Sequence, residues 1–278
     1  MLFIITGLNP SIRIIRVLNA IFAVMYTLKK SLGQHFLKDE NIIQQIIDAL
    51  KQQQFTNLLE VGPGAGALTK HLINLPGIHF KAVELDAEKV DYLFKKYPVL
   101  KDKIIHKSFL DIDKPFDEPF TVIGNFPYNI STQILFKILE WKDEVPCVIG
   151  MFQKEVAERA ASKEGSKVYG VLSVLVQAYY NVEYLFDVGN ECFNPPPKVQ
   201  SGVIRLVRRT EPLKVKSDRA YWVLVKTAFN QRRKTLRNAL SSLINKEKMT
   251  EEPLLDLRAE RLTVADFVKI TQQITANR

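Results

Sequence analysis

At 278 residues, with 46% hydrophobic and 25% charged side chains, the chain can bury a full core in one large domain, or in a large and a small one. Its formal charge of +9 is unevenly placed: residues 1–28 hold two basic and no acidic side chains, 29–210 hold 23 and 22, and 211–278 hold 14 and 8. The excess therefore sits in the C-terminal quarter, as expected of a part that meets a polyanion. Cys147 and Cys192 do not make a disulfide framework, and neither lies in a CxxC. His35, His71, His79 and His106 lack metal-ligand spacing, so a reducing compartment and no structural metal are expected.

Arg13 and Arg16 interrupt the leader, so no run approaches the ~20 apolar residues of a membrane span. Its charges do not open the chain ahead of an apolar stretch, as in a signal peptide, and it has few serines for an organellar presequence. Met25 is the expected natural start, with residues 1–28 a non-native or disordered extension. Residues 39–54 place Ile42, Ile43, Ile46, Ile47 and Leu50 on one helical face, with Asp39 as N-cap. Strands are predicted over 57–61, 80–85, 103–106, 120–124 and 145–152, and helices over 67–74, 87–96 and 131–140. A Gly/Ser/Lys-rich loop (162–167) leads into the apolar segment 169–180, and 203–207 closes the series as a β-rich edge. Alternating strands and helices imply a doubly wound, mostly parallel α/β sheet that binds ligands outside the carboxyl ends of its strands. Past Arg209 the strand pattern stops, and helices are predicted over 218–245 and 251–275. The expected organisation is the extension (1–28), a Rossmann-like domain (29–209) and a small helical domain (210–278).

Three constellations carry chemistry. Leu58-Leu59-Glu60-Val61-Gly62-Pro63-Gly64-Ala65-Gly66 runs from a strand through glycines into a helix, where Gly62 and Gly64 let the backbone approach a ligand closely. Its G-x-G-x-G spacing differs from the G-x-G-x-x-G of dinucleotide sites, so a pyrophosphate is not its natural guest. Glu84 ends the next strand, 22 residues after Gly62, where a carboxylate can accept both hydroxyls of a ribose. Asn125-Phe126-Pro127-Tyr128 directly follows the strand ending at Gly124. An adenine amine is a poor nucleophile because its lone pair is delocalised into the ring. The Asn125 side-chain oxygen and a main-chain carbonyl of Phe126 or Pro127 can hold its two N–H bonds and aim the freed lone pair at a methyl donor. Pro127 stiffens the loop, and Tyr128 offers a ring face to a base taken out of its stack.

The glycine loop resembles the nucleoside–methionine loop of class I methyltransferases. With its other motifs, the chain resembles the ribosomal RNA adenine dimethyltransferases from about Lys30 to about Thr275. Those motifs are SLGQHFL (31–37), QKEVAER (153–159), Tyr169-Gly170, Leu172-Ser173, FNPPPKVQS (193–201) and NQRRKTLRN (230–238). The resemblance implies an enzyme that uses S-adenosylmethionine, and no metal, to dimethylate the N6 amines of two adjacent adenosines. The target is a hairpin near the 3′ end of small-subunit (16S) rRNA. A cytoplasmic monomer acting on that RNA or the pre-30S particle, with no membrane partner, is expected.

His35 and Leu37 are then expected to contact the cofactor, along with Gly62, Gly64, Glu84, Ser108 and Asn125. Asn125, Pro127, Tyr128 and Phe193 are expected to form the catalytic site, with the Phe193 ring stacked on the target adenine. Arg232, Arg233, Lys234 and Arg237 are expected to bind RNA, because the basic run interrupts an apolar stripe and charges are costly in a buried seam. The sequence departs from the family pattern twice. Ser108 stands where an acid usually bonds the cofactor's adenine amine, leaving Ser108 or Asp111 for that contact, and Val171 stands where an arginine commonly follows Tyr-Gly. Large-subunit dimethylases of the antibiotic-resistance type share the glycine loop and the Asn-aromatic-Pro-Tyr motif. The FNPPPKVQS and NQRRKTLRN segments favour the small-subunit enzyme. The intact 125–128 motif speaks against a non-enzymatic relative.

Overall fold

The computed structural model describes residues 35–211, 213–244 and 251–276; the leader, Met25 and residues 31–34 lie outside them. From His35 onward the chain forms one compact unit. Asp39 caps helix α1 (Glu40–Lys51), its carboxylate accepting from the N–H groups of Asn41 and Ile42. The buried face of α1, with Ile43, Ile46, Ile47 and Leu50, shares a core with Leu58, Ala82 and Ile123 of the sheet.

The strands are β1 (Phe36–Leu37), β2 (Asn57–Val61), β3 (His79–Glu84), β4 (Ile104–His106) and β5 (Thr121–Asn125), then β6 (Cys147–Gln153), β7 (Tyr180–Val188), β8 (Phe193–Asn194) and β9 (Ser201–Arg208). Seven of them form one sheet in the order β4-β3-β2-β5-β6-β9-β7, while β1 and β8 pair separately. The strands from β4 to β6 are mutually parallel, and β9 runs antiparallel to both β6 and β7. Crossover helices α2 (Thr69–Leu72), α3 (Ala87–Lys96) and α4 (Ser131–Glu140) join the parallel strands, as right-handed βαβ connections require. The carboxyl ends of β2, β3, β4 and β5 thus lie along one rim.

Two expectations are corrected here. Residues 203–207 are not an edge, because β9 lies between β6 and β7. The edge on this side is β7, which pairs with β9 across a register shift between Tyr184 and Phe186. The predicted helix 218–245 is broken into α7 (Asp218–Asn230) and α8 (Leu236–Ala239), with α5 (Lys154–Ala161) and α6 (Val171–Gln177) preceding them in the chain. Thr235 between the pieces is extended and bridges Arg258. The predicted helix 251–275 likewise becomes two single turns and α9 (Val264–Ala276), because Thr263 and Asp266 exchange capping hydrogen bonds and start a new helix there.

Tyrosine hydroxyls tie these C-terminal helices to the preceding part. Tyr221 donates to the Val174 carbonyl at 3.1 Å, and Tyr169 to the Leu262 carbonyl at 3.0 Å. Among the described residues no helix is long and apolar enough to cross a membrane, and no group of three or more His, Cys, Asp or Glu could hold a metal ion.

Candidate active site

The glycine loop leaves β2 with Gly62, Gly64 and Gly66 all at positive φ (+70°, +55° and +82°), a region that L side chains rarely adopt. This curl turns the Gly64 N–H onto Glu84 Oε2 at 3.1 Å. Glu84 is 8% exposed, and its other oxygen accepts the N–H groups of Leu85 (2.9 Å) and Asp86 (3.0 Å). The carboxylate therefore ties the end of β3 to the glycine loop. Oε1 already accepts two bonds and Oε2 one, so the open lone pair for a ribose hydroxyl is on Oε2.

Asn125 ends β5 beside this loop. A side chain added at Gly62 would touch the Asn125 carbonyl oxygen and the Pro127 ring at 3.7–3.8 Å, so the two loops are in contact through a glycine. Phe126 turns the other way. Its ring is buried over Gly124 and Gly150, which sit opposite each other on β5 and β6, and lies 4.7 Å from the Phe152 ring. The Phe126 N–H donates to the Met151 carbonyl at 3.0 Å. Pro127's carbonyl accepts from the Ile130 N–H and from the Ser131 hydroxyl, both at 3.2 Å. Neither the Asn125 side chain nor the Phe126 carbonyl has a hydrogen-bond partner among the described residues. Of the two main-chain carbonyls, that of Pro127 is thus already bonded twice.

Tyr128 is half-buried, its hydroxyl bonded to that of Ser201, and burial raises its pKa so that the phenol stays neutral. Its ring is inclined by 25° to the His35 imidazole, with centroids 6.2 Å apart. His35 Nδ1 donates to the Pro195 carbonyl at 2.7 Å, and Phe36 places its ring over Gly64 and under the Lys89 ammonium. His35 and β1 thus span the glycine loop, Tyr128 and the proline segment.

Leu37 and Phe193 are paired across β1 and β8, and Phe193 is 1% exposed. The FNPPP motif was legible; that β1 would lie on it was not. Ser108, half-buried after β4, accepts the Leu110 N–H at 3.2 Å as a helical cap, and Asp111 is exposed.

The four basic residues are not equivalent. Arg232 donates to the Lys167 carbonyl at 3.0 Å and lies 3.6 Å from the Glu260 carboxylate, while Arg237 pairs with Asp256 at 2.8 Å. Arg233 and Lys234 are exposed. Arg232 joins the 162–167 loop to the C-terminal helices, a role invisible in the local sequence because both partners are distant in the chain.

One further residue escaped the sequence reading. Glu60, two positions before Gly62, is 2% exposed, and its Oε2 has no hydrogen-bond partner among the described residues. Its signal was an acid inside an otherwise apolar strand (Leu58, Leu59, Val61).

Residues 25–276 match the family described as ribosomal RNA adenine dimethylase. The chain is 50% identical to ribosomal RNA small subunit methyltransferase A of Flavobacterium johnsoniae, over 90% of this chain and 96% of that protein. It is 48% identical to the protein of the same name from Cytophaga hutchinsonii, over 89% and 97%. Among solved structures it resembles a dimethyladenosine transferase from Plasmodium falciparum, with a TM-score of 0.74, 24% identity and coverage of 87% of this chain and 98% of that one. It also resembles the 23S rRNA methyltransferase ErmE, with a TM-score of 0.67, 22% identity and coverage of 86% and 99%. At these identities the two structures speak for the shared α/β fold.

Proposed function

We propose that this chain, which belongs to the ribosomal RNA adenine dimethylase family, methylates the N6 amines of two adjacent adenosines in small-subunit rRNA, with S-adenosylmethionine as donor. The observation that carries the reading is the pair of open acceptors at the end of β5: the Asn125 side chain and the Phe126 carbonyl, set against a glycine loop. A pair spaced along one peptide unit matches the two N–H bonds of an exocyclic amine. The relatives' names supply the substrate class, small-subunit rRNA.

The residues present fit the donor. Gly62 and Gly64 leave the space that a Cβ would fill, and Glu84 Oε2 has a lone pair for a ribose hydroxyl. His35, just before β1, and Leu37 on β1 would close over it, and Ser108 follows the neighbouring β4. When bound, S-adenosylmethionine supplies an electrophilic methyl on a sulfonium. Asn125 and the Phe126 carbonyl hold the amine's two N–H bonds, which draws the nitrogen toward tetrahedral geometry and aims its lone pair. Tyr128 offers its ring to the extruded base. The work is done by a cytoplasmic monomer on the assembling small subunit, whose RNA backbone meets Arg233 and Lys234 in the helical part after residue 210. Methylating purified small and large subunits separately, with mass spectrometry of the rRNA, tests the reading. Dimethyladenosine in the small subunit is expected; label in the large subunit alone would assign the chain to the antibiotic-resistance type.

Glu84→Ala is expected to weaken donor binding by about 1.5–3 kcal/mol, the range for charge-assisted hydrogen bonds. Titration calorimetry giving the parental affinity in a folded variant removes Glu84 from the donor site. Neutralising Arg233 and Lys234 together is expected to flatten the log–log salt dependence of RNA affinity by about 0.7–0.9 per lost phosphate contact. Donor affinity should stay put, and an unchanged salt slope would return both side chains to the role of solvated surface.

A further inference from the structure

We propose that Ser201 is a positioning residue for the methyl acceptor: its hydroxyl, fixed at the start of β9, holds the Tyr128 phenol and so sets the tilt of the ring that receives the extruded base. The proposal rests on the reading above, in which Tyr128 takes the base, and adds to it a residue that never touches the base.

Among the described residues, each of these two hydroxyls has the other as its sole hydrogen-bond partner. Ser201 is 0% exposed and Tyr128 is half-buried. A single bond between neutral hydroxyls adds little net stability, but a buried hydroxyl that loses its partner keeps its full desolvation cost. The pair is therefore held together by what each group would lose alone. Without the Ser201 hydroxyl, the phenol can regain a partner only by swinging toward water and taking its ring along.

The sheet makes Ser201 a fixed point. It pairs with Gln153 of β6 on one side and with Val188 of β7 on the other. The preceding Gln200 accepts the Lys154 N–H at 2.9 Å through its carbonyl. Gly202, next along β9, lies against Tyr184: a Cβ there would come within 2.3 Å of the phenol oxygen, which Asp187 holds in turn. Ladders on both sides thus deny the Ser201 backbone any freedom to shift.

Tyr128 has the opposite setting. The pairing of β5 with β6 ends at Asn125, and Tyr128 opens a single helical turn whose next residue, Asn129, is exposed. A tyrosine ring turns about two side-chain torsions, and a tether on its far end restrains both at once. The second restraint on the ring is the His35 imidazole, itself bonded to the Pro195 carbonyl at 2.7 Å. Both restraints therefore lead back to residues 195–201. The 125–128 segment carries the acceptors for the amine as well as the ring for the base, so the tilt of that ring decides where the amine points. A reacting group misplaced by about 1 Å loses most of its rate.

Full-length S201A, Y128F, their double variant and Y128A test this on an RNA hairpin with S-adenosylmethionine. The readouts are single-turnover methylation at saturating RNA and donor, donor affinity by calorimetry, and the emission of 2-aminopurine placed at the target adenosine. S201A is expected to lower the single-turnover rate about two- to tenfold, the worth of one hydrogen bond, at unchanged donor affinity. Y128F should act similarly from the other end, and the double variant should be no slower than the slower single one, because both changes remove the same bond. The 2-aminopurine emission of the bound hairpin should shift in S201A and in Y128F, since the base meets a ring at a different tilt. Should S201A fail to fold, Y128F probes the same bond and decides. Multiplicative losses in the double variant, or a fall in donor affinity in step with the rate, overturn the proposal. So do parental rates in S201A and Y128F when Y128A is slow, which leaves Tyr128 as the base platform. Parental rate and emission in Y128A overturn that platform and the proposal together.

Discussion

Replacing Asn125 with alanine is expected to lower the methylation turnover rate by roughly 10²–10³, the range for loss of one preorganised polar partner. Asn125 ends β5 with a side chain that has no hydrogen-bond partner among the described residues, and the adjacent Phe126 carbonyl is open as well. Together they hold an amine whose lone pair must be drawn out of the ring, an interaction stronger in the transition state than in the bound ground state. RNA affinity rests on other residues and should change little. Dimethylation sharpens the test. After one transfer the amine keeps a single N–H, which cannot satisfy both acceptors. The second transfer should therefore depend on Asn125 differently from the first, and the variant should shift the ratio of mono- to dimethyladenosine. Single-turnover reactions resolved by mass spectrometry measure both steps, and parental rates for both would reduce the Asn-Phe-Pro-Tyr segment to a structural turn.

Gly150→Ala is expected to be nearly as damaging without touching any substrate. The ideal methyl at Gly150 would lie 2.3 Å from a Phe126 ring carbon and 2.5 Å from one of Phe152. Both rings are buried and face each other, so neither can turn aside without moving the backbone. Overpacking of this kind costs about 1–3 kcal/mol of stability. The larger consequence is positional: Phe126 is the peg that sets its own carbonyl and Asn125, and a displacement of about 1 Å at a reacting group costs roughly 10²-fold in rate. Donor affinity should fall far less, since the glycine loop and Glu84 belong to β2 and β3. Adding Phe126→Leu should recover stability, because the smaller side chain makes room for the methyl. A folded G150A protein with the parental turnover rate would show that Phe126 does not position the loop.

The sequence by itself determined most of the scaffold. Hydrophobic periodicity is a local property, so β2, α3 and α4 fall at the predicted residues and Asp39 caps α1 as expected. The glycine loop, Glu84 and the Asn125–Tyr128 segment could likewise be read as a donor site, because glycine spacing and strand-end position are carried within short stretches. Family membership was legible from the same motifs, and the match over 252 residues bears it out. Tertiary structure decided what depends on partners far apart in the chain. Pairing of β1 with β8 covers the Phe193 ring, 156 positions after Leu37, and insertion of β9 beside β6 makes β7 the edge. Asp256 and Glu260 engage Arg237 and Arg232 and separate them from Arg233 and Lys234, which one basic run had presented as equivalent. Glu60 shows the limit most plainly: a lone acid in an apolar strand is visible in sequence, but only its burial in the folded core, with the Glu84 carboxylate beside it, raises its pKa. Spacing along the chain registers which groups exist, whereas desolvation and pairing arise from what the fold brings against them.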